Sequence, residues 1–462
     1  MKLFIKRAVD RWYRLNATTL FIMLIVVSAT GWPENKAAAV ERPLAIILTD
    51  VGQDPDDTQS LVRALLYSND VSIQGIIPTY NPRGPVRVDI VQAVIAAYKK
   101  DLPFLKLHDT RYPSAELLLG RVKSGLNTNS QIGSGFDSSG SNHIIYMVDR
   151  STVPMWILVW GGGRELAQAI FKVRSTRSND EFVRFQKKLR VYSISLSQYS
   201  PEPGDYLLAN AKDMFWIASI EHDGSKTATF RGMYMLGDNS MQSESWTQAN
   251  ITSRGNLGRM YPLNTTENGL KEGDTPSLLH ILPIGLGTPG LPKAGGWGGR
   301  YTKESDYYRI SQNLYTSKYQ LDQVGDVSSR RLSVARWRKA FQADFAARAK
   351  WLISSYGSAN HPPDARITGA SALTVPSGQT VPLDATPSTD PDGNGLSYHW
   401  WVYREAGSHT GSMTIENDRV AVTSLVAPQV TSTKTVHVIL EVTDSGSPAL
   451  TRYQRLVLTV NP

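Results

Sequence analysis

Four aspartates crowd into eight residues, and they are the strongest chemical signal in the sequence. The segment reads Thr49-Asp50-Val-Gly-Gln-Asp54-Pro-Asp56-Asp57. Neighbouring carboxylates disfavour one another's ionisation, and a bound cation relieves that repulsion. A ligand set made only of oxygen favours Ca²⁺ or Mg²⁺, with Ca²⁺ preferred for a carboxylate-rich site. The alternative is that Asp54 or Asp56 caps the following helix, but a cap explains one carboxylate and not four.

The pattern of elements around this cluster predicts a parallel sheet. Residues 44–48 form a continuous apolar run that ends at the aspartates, as expected of a strand buried on both faces. Helical and strand-like segments then alternate, at 56–67, 71–77, 86–100, 155–160, 164–171, 190–196 and 214–220. This alternation indicates an α/β fold with helices on both faces of the sheet. Ligands of such sheets bind at the carboxyl ends of the strands, where the aspartates fall.

The chain is expected to contain a large and a small domain. In order, we expect a signal peptide at 1–39, the α/β domain at 40–356, a linker at 357–364 and a smaller all-β domain at 365–462. The linker contains Gly357, Pro362 and Pro363, which are typical of a break between elements. Short alternating runs separated by turns over the last hundred or so residues indicate an immunoglobulin-like β-sandwich.

The first 39 residues predict export from a bacterial cell. A basic segment precedes the apolar run from Leu20 to Ala29, and three alanines follow at 37–39. This order is typical of a signal peptide. The run is shorter than the roughly 20 residues of a membrane span, so no stable span is expected after cleavage. An uncleaved anchor is the alternative. We expect the mature chain in the periplasm, at the cell surface or secreted.

Charge and cysteine content exclude several classes of function. The chain has 49 basic and 41 acidic residues, a formal net charge of +8. Without residues 1–39 the counts are 43 and 39, and the remaining +4 gives no case for a nucleic-acid polymer as partner. The absence of cysteine excludes disulfides, thiolate metal sites and a cysteine nucleophile.

Several segments carry a resemblance to a known family. Asp50-x-Gly-x-Asp54-x-Asp56-Asp57 resembles the calcium-dependent nucleoside hydrolase signature, and the Gly-rich segment that begins at Trp160 resembles the loop before that family's next helix. A bacterial exported branch, described as nucleoside hydrolase-like, cellulose-binding proteins, is more similar still. The matching segments are Thr49–Asp57, Lys271–Ser277, Gly295–Arg300, Asp344–Arg348 and Ser388–Tyr398. On these motifs the chain is identified as a member over residues 44–462.

The resemblance implies a metal site. Asp57 would ligate Ca²⁺, together with Asp50 at the first acidic position and Asp274 in Gly-Asp-Thr-Pro. Trp160 matches a position that ligates the metal through its backbone carbonyl.

The resemblance also implies substrate and catalytic residues. Asp56 would bind sugar hydroxyls, and Asn81 matches a substrate-contacting asparagine. The family's general-base aspartate falls at Gly52, so Asp54 or Asp50 is the expected proton acceptor.

Two further departures bear on catalysis. Gly273 stands where family enzymes often carry a leaving-group histidine. Ser195–Tyr199 replaces a segment that is usually acidic in this branch.

Three aromatic or acidic features leave two interpretations each. The loop Gly295–Arg300 presents Trp297 and Arg300 to a sugar or base, or it forms a packed structural turn. The turn 390–394, which resembles that of polycystic-kidney-disease-type sandwiches, binds a second Ca²⁺ or is a plain turn. Of Trp400 and Trp401, which face opposite sides of a strand, one is expected in the core and the other is a candidate sugar platform.

The sequence therefore predicts an exported Ca²⁺-dependent hydrolase of N-glycosidic or related glycosyl bonds, acting on a small-molecule glycoside. The alternative is a non-catalytic carbohydrate-binding protein that holds cellulose or another polysaccharide in the same cleft or on the sandwich. A third hypothesis is a cell-surface protein whose sandwich only docks the α/β domain. A homo-oligomer is possible in each case.

Overall fold

A computed structural model describes residues 42–52, 54–195, 201–219, 228–264, 269–305, 313–318 and 320–462. The expected signal peptide and four residues of the departure at 195–199 lie outside these ranges. Residues 42–462 form one compact unit. Within the described ranges, every helix is too short or too polar to cross a membrane.

A mostly parallel sheet forms the centre of the α/β region, as predicted. Its described strands are β1 Leu44–Thr49, β2 Ser72–Pro78, β3 Met155–Val159, β4 Leu189–Ser193, β5 Phe215–Ala218, β6 Thr302–Lys303 and β7 Leu314–Thr316. Their order is β2-β1-β3-β4-β5-β7-β6, and β6 alone runs antiparallel to its neighbour among these described strands. Residues 45–48 of β1 are fully buried, which explains their continuous apolar run.

Helices cover both faces of this sheet. Their described bounds are α1 Pro55–Leu66, α2 Val88–His108, α3 Ala115–Gly120, α4 Ser139–Arg150, α5 Arg164–Thr176, α6 Asn179–Lys188, α7 Pro201–Asn210, α8 Ala228–Gly232, α9 Glu244–Thr247, α10 Gly255–Gly258, α11 Pro276–Ile281, α12 Leu332–Ala335 and α13 Arg338–Trp351. Asp54 takes the N-cap position of α1, but its side chain makes no capping hydrogen bond. Capping therefore does not account for this aspartate.

The C-terminal region contains two facing sheets. Its strands are β10 Ala372–Pro376, β11 Thr380–Asp384, β12 Leu396–Val402, β13 Val422–Val426, β14 Lys434–Asp444 and β15 Thr451–Asn461, and a short hairpin, β8 Asp322–Val324 and β9 Val327–Ser329, precedes them. One sheet has the order β10-β15-β14-β12, and β11 pairs with β13 in the other. Trp400, Leu440 and Leu458 pack with Val381 and Leu425 in the core between them.

The outer face of the four-stranded sheet packs against the α/β region. Tyr453 donates its backbone N–H to Ile284 O (3.1 Å), and Arg455 donates from Nε to Leu286 O (2.8 Å). Trp337, just before α13, stacks edge-on to Tyr453 with ring centres 5.7 Å apart. The two regions therefore share a continuous interface.

The expected linker is fixed within this interface. His361 is buried, and its Nδ1 lies 2.9 Å from Asp392 Oδ1 in the C-terminal region. Its Nε2 shares a 2.9 Å hydrogen bond with Nδ1 of His108, the last residue of α2. Tyr356 stacks on the His361 ring at 3.9 Å. The segment thus ties α2 to the sandwich.

Buried histidines predict acid sensitivity. Burial lowers the pKa of His280, His437 and His108 to about 4, whereas in the unfolded chain each takes up a proton at about pH 6.5. Between these values the unfolded state binds more protons, so the free energy of unfolding should decrease as the pH falls. Urea denaturation across this range measures the slope. His280→Gln should reduce it by up to about 1.4 kcal/mol per pH unit. An unchanged slope in that variant would contradict the assignment.

Candidate functional site

Three buried carboxylates converge at the carboxyl end of β1. Asp56 and Asp57 lie in the first turn of α1, and Asp274 lies in the loop before α11. One oxygen of each carboxylate lies within 4.8 Å of one oxygen of the other two. Each of these residues is at most 4% exposed. An oxygen-only set with this spacing suits a hard divalent cation such as Ca²⁺.

The electrostatics of Asp57 show the cost of this crowding. Its Oδ1 accepts hydrogen bonds from the Thr49 hydroxyl (2.5 Å) and from the backbone N–H of Asp50 (3.1 Å). Burial, followed by the charges of Asp50, Asp274 and Asp56, raises the pKa of Asp57 well above its ordinary value. A divalent cation would remove this cost because it favours the charged form of all these groups. The residues present therefore fit a metal ion.

Asp50 is held beside this group by its neighbours. Asn81, after β2, donates from Nδ2 to Asp50 Oδ2 (2.6 Å). Gly161, after β3, approaches so closely that an added Cβ would lie 2.7 Å from Asp50 Cβ. The structure thus brings together three of the predicted site residues, Asp50, Asn81 and Asp57. Their roles stay predictions.

Trp160 links the end of β3 to the Asp274 loop. Its backbone N–H donates to Leu48 O (2.8 Å), and its indole N–H donates to Ser277 Oγ (2.7 Å). Ser277 in turn donates to the backbone carbonyl of Asp274 (2.8 Å). The side chain therefore has a positioning role, and ligation through the backbone carbonyl stays a prediction.

Lys271 is a site residue that the sequence reasoning missed. Its Nζ lies 2.6 Å from Asp54 Oδ2 and 3.7 Å from Asp56 Oδ2. Burial lowers the pKa of Lys271, but the carboxylates of Asp56 and Asp54 outweigh it and raise the pKa above its ordinary value. The ammonium is therefore charged at neutral pH and neutralises part of the cluster. Its place in the motif Lys271–Ser277, three residues before Asp274, is the signal that marks it in the sequence.

A buried ion pair holds the loop that carries Lys271 and Asp274. Arg63 of α1 lies 2.6 Å from Glu272, and both side chains are fully buried. Gln59, one turn earlier in α1, accepts the backbone N–H groups of Lys271 (3.0 Å) and Glu272 (2.9 Å). The helix that supplies Asp56 and Asp57 thus also positions this loop.

Backbone conformation and packing account for the two glycine departures. At Gly52, whose φ is +106°, an added Cβ would lie 2.6 Å from Ile90 Cδ1. At Gly273 it would lie 2.0 Å from Cε2 of the Phe230 ring. The positive φ at Gly52 and the Phe230 ring at Gly273 therefore disfavour the family's aspartate and histidine at these positions.

Two further buried polar side chains border the same edge of the sheet. Thr79, directly after β2, and Asn129 are each at most 6% exposed. The Thr79 hydroxyl and both amide atoms of Asn129 have no hydrogen-bond partner within the described ranges. Asn129 lies against Gly162, where an added Cβ would be 2.3 Å from its Oδ1. Buried polar groups are normally satisfied, so these two are candidate ligand contacts. No motif marked them in the sequence.

The loop Gly295–Arg300 packs against the C-terminal region. Trp297 is 1% exposed, and its indole N–H donates to the Tyr453 hydroxyl (3.3 Å). Arg300 donates from Nε to Asp322 (2.8 Å) and from Nη1 to the carbonyl of Glu405 (2.8 Å). These contacts join the loop to the C-terminal region. The geometry supports the packed-turn interpretation and gives no support to substrate binding by these two residues.

The acidic side chains of the turn at 390–394 form hydrogen bonds within the turn and to the linker. Both carboxylate oxygens of Asp392 contact His361. Asp390 Oδ1 accepts the backbone N–H groups of Asp392 and Asn394 (both 2.9 Å). These contacts support the plain-turn interpretation, and a second Ca²⁺ at this turn stays a prediction.

The sheet, its aspartates and the glycine loop define a nucleoside hydrolase-like protein. Residues 45–301 match the family model described as cellulose-binding Sde182, nucleoside hydrolase-like domain. Residues 380–460 match that of cellulose-binding protein Sde0182, C-terminal domain. The chain belongs to this family, which confirms the membership predicted from its motifs.

Solved structures extend the comparison. A nucleoside hydrolase-related hypothetical protein from Saccharophagus degradans, described as associated with carbohydrate metabolism, is 34% identical, with a TM-score of 0.75. The match covers 91% of this chain and 100% of that one. The plant nucleoside hydrolase PpNRh1 is 15% identical over 67% of this chain and 99% of its own, with a TM-score of 0.37. The type III effector XopQ, complexed with adenosine diphosphate ribose, is 11% identical over 68% and 95%, with a TM-score of 0.38.

No curated protein matches the chain.

The packing at Gly273 predicts a large effect of one methyl group. Gly273→Ala should lower the free energy of unfolding by about 1–3 kcal/mol or more, because the Phe230 ring must move. Denaturant unfolding measures this loss. Gly357→Ala is the matched control, since an added Cβ there meets nothing within 4 Å. The double variant with Gly273→Ala and Phe230→Ala should lose less free energy of unfolding than the sum of the losses in the two single variants. Strict additivity would argue against the contact.

Proposed function

We propose that the chain is an exported, Ca²⁺-dependent hydrolase of N-glycosidic or related glycosyl bonds in small-molecule glycosides. The observation that carries this proposal is the buried group of Asp56, Asp57 and Asp274 at the carboxyl end of a parallel sheet. Ligands of such sheets bind at this edge. The nucleoside hydrolase-like fold and the carbohydrate association of the Saccharophagus protein support the substrate class.

Asp57, Asp274 and Asp56 would hold the ion. When bound, Ca²⁺ would orient a water molecule and make it more acidic. Of the two expected proton acceptors, Asp50 suits the role better. It is buried beside Asp57 and oriented by Asn81, whereas Asp54 is engaged in an ion pair with Lys271. A positioned carboxylate within reach of the reacting water is what general-base catalysis requires.

The polar groups around this edge would hold the sugar. Asn129 and Thr79 offer amide and hydroxyl groups that are buried and without partners within the described ranges. Lys271 supplies a fixed positive charge that Asp54 and Asp56 keep in place. Because Gly273 cannot carry an acid, we expect substrates whose leaving group departs without protonation by that residue.

A second candidate function is non-catalytic carbohydrate binding, as the family's description implies. The positive φ of Gly52 and the packing of Phe230 on Gly273 favour it, because both disfavour side chains at positions that serve catalysis in related enzymes. The two functions share the site and differ in whether a bond is broken.

Calcium should stabilise the folded chain. Ca²⁺ at about 100 times its dissociation constant adds about 2.7 kcal/mol to the free energy of unfolding. Thermal unfolding with Ca²⁺ and with chelator measures the difference. Asp57→Asn should abolish it, and Asp89→Asn, at an exposed carboxylate on α2, should leave it unchanged. Equal melting temperatures for the wild type with Ca²⁺ and with chelator would contradict the proposed metal site.

Turnover decides between the two functions. The full chain should hydrolyse at least one member of a panel of nucleosides and short oligosaccharides. The release of reducing sugar measures this hydrolysis. Asp57→Asn and Asp50→Asn should each lower the rate by about 100-fold or more, since each removes a group that acts on the reacting water. Asp89→Asn is again the control. Binding of a sugar without turnover by the wild type would favour the second function.

A further inference from the structure

Lys271 lies between two aspartates, one of which belongs to the candidate metal site. Its Nζ lies 2.6 Å from Asp54 Oδ2 and 3.7 Å from Asp56 Oδ2. Asp56 is at the same time one of the three buried carboxylates that fit a divalent ion. One carboxylate thus borders both an ion site and an ammonium group. Two-metal sites likewise hold two cations close together, about 3.5–4 Å apart.

The ammonium group is held at a fixed position. The backbone N–H of Lys271 donates to Gln59 (3.0 Å), and the next residue, Glu272, is fixed by its ion pair with Arg63. Nζ lies 5.5 Å from the centre of the Phe230 ring, whose face attracts a cation. The side chain is half-buried, so solvent and salt screen its charge less than that of a surface lysine. The chain therefore keeps a positive charge at this point whatever the ion concentration in solution.

Asp54 needs a positive partner even when a divalent ion is bound. It lies at the N-cap of α1, outside the group of three carboxylates that would hold the ion. Arg83 approaches Asp54 to 3.9 Å, but its side chain is exposed, and ion pairs at the surface contribute little. Lys271 contacts Asp54 and Asp56 together, which is the position that a second ion among these carboxylates would take.

We propose that Lys271 is a tethered second cation, which limits the site to one divalent ion and supplies its second positive charge. The inference rests on the metal site of the proposed function and deepens it. An ion that approached Asp54 and Asp56 would have to displace the ammonium group, whose charge repels it. In two-metal sites the second ion helps to stabilise negative charge on the substrate. Lys271 provides this charge without a second ion, so it is a specificity-determining residue for the metal content of the site.

The number of bound ions tests this role without a measurement of activity. Calorimetric titration of the full chain with Ca²⁺, checked by equilibrium dialysis, should give one ion per chain for the wild type. Lys271→Met, which replaces the ammonium group by a neutral side chain, should bind two ions. The second should have a dissociation constant of about 0.1–1 mM, as in weak extracellular sites. Lys271→Arg keeps the charge and should bind one ion. Lys271→Gln repeats the test, and circular dichroism checks the fold of each variant.

Two further variants separate the position of the second ion from a general change in charge. Arg83→Met also removes a positive charge near Asp54, but at an exposed position, and it should leave one ion per chain. The double variant with Lys271→Met and Asp54→Asn lacks a ligand of the second ion and should again bind one.

Several outcomes would overturn the proposal. One ion per chain in folded Lys271→Met and Lys271→Gln shows that the ammonium group does not hold the place of an ion. Two ions in Arg83→Met assign the effect to net charge. A second ion that persists in the double variant lies away from Asp54. Two ions in the wild type contradict the limit to one. Absence of Ca²⁺ binding by the wild type is a different result, because it rejects the metal site and the proposed Ca²⁺-dependent function as well.

Discussion

The ion pair between Arg63 and Glu272 is the interaction on which the candidate site depends. Both side chains are fully buried, and such a pair repays its desolvation only when additional hydrogen bonds satisfy the remaining polar atoms. Tyr261 donates its hydroxyl to Glu272 (3.0 Å), and Arg63 donates to Gln342 (2.5 Å) and to the carbonyl of Phe341 (3.2 Å). Glu272 sits at φ +41°, a left-handed conformation that is unfavourable for a residue with a side chain. The pair therefore maintains a strained backbone.

This constraint connects two electrostatic problems. Burial and the neighbouring carboxylates raise the pKa of Asp57, while Lys271 is brought to the same edge by the loop that Glu272 anchors. The lysine acts as an internal counter-ion for Asp54 and Asp56, so part of the negative charge is compensated by the chain itself. A divalent cation would compensate the remainder around Asp57 and Asp274. The site is thus built to hold charge, whatever reaction it serves.

Local features of the sequence predicted the position of the two aspartates at the start of α1. The apolar run of β1 and the acidic start of α1 lie within a few residues of each other, so periodicity and charge sufficed to place Asp56 and Asp57 at a strand end. The packing of Phe230 on Gly273 joins segments that are distant in the sequence, so neither segment alone predicts this contact.

Trp297 also shows that a sequence motif alone does not reveal distant contacts. Glycines around a tryptophan suggested a binding loop, but its partner Tyr453 lies 156 residues further along the chain. Interpretation of such a residue requires the tertiary contacts and not the motif alone.

The shared interface has a consequence for how this protein can be divided. Trp297, Trp337, Tyr403 and Tyr453 belong to the same hydrophobic cluster as the side chains beneath the α/β sheet. Severing the chain at the change in composition near residue 360 would leave aromatic surface exposed on both fragments, and large exposed apolar patches promote aggregation. The C-terminal region is therefore a poor candidate for a transferable module. Fusion, truncation or recombination experiments should keep residues 42–462 together as one folded unit.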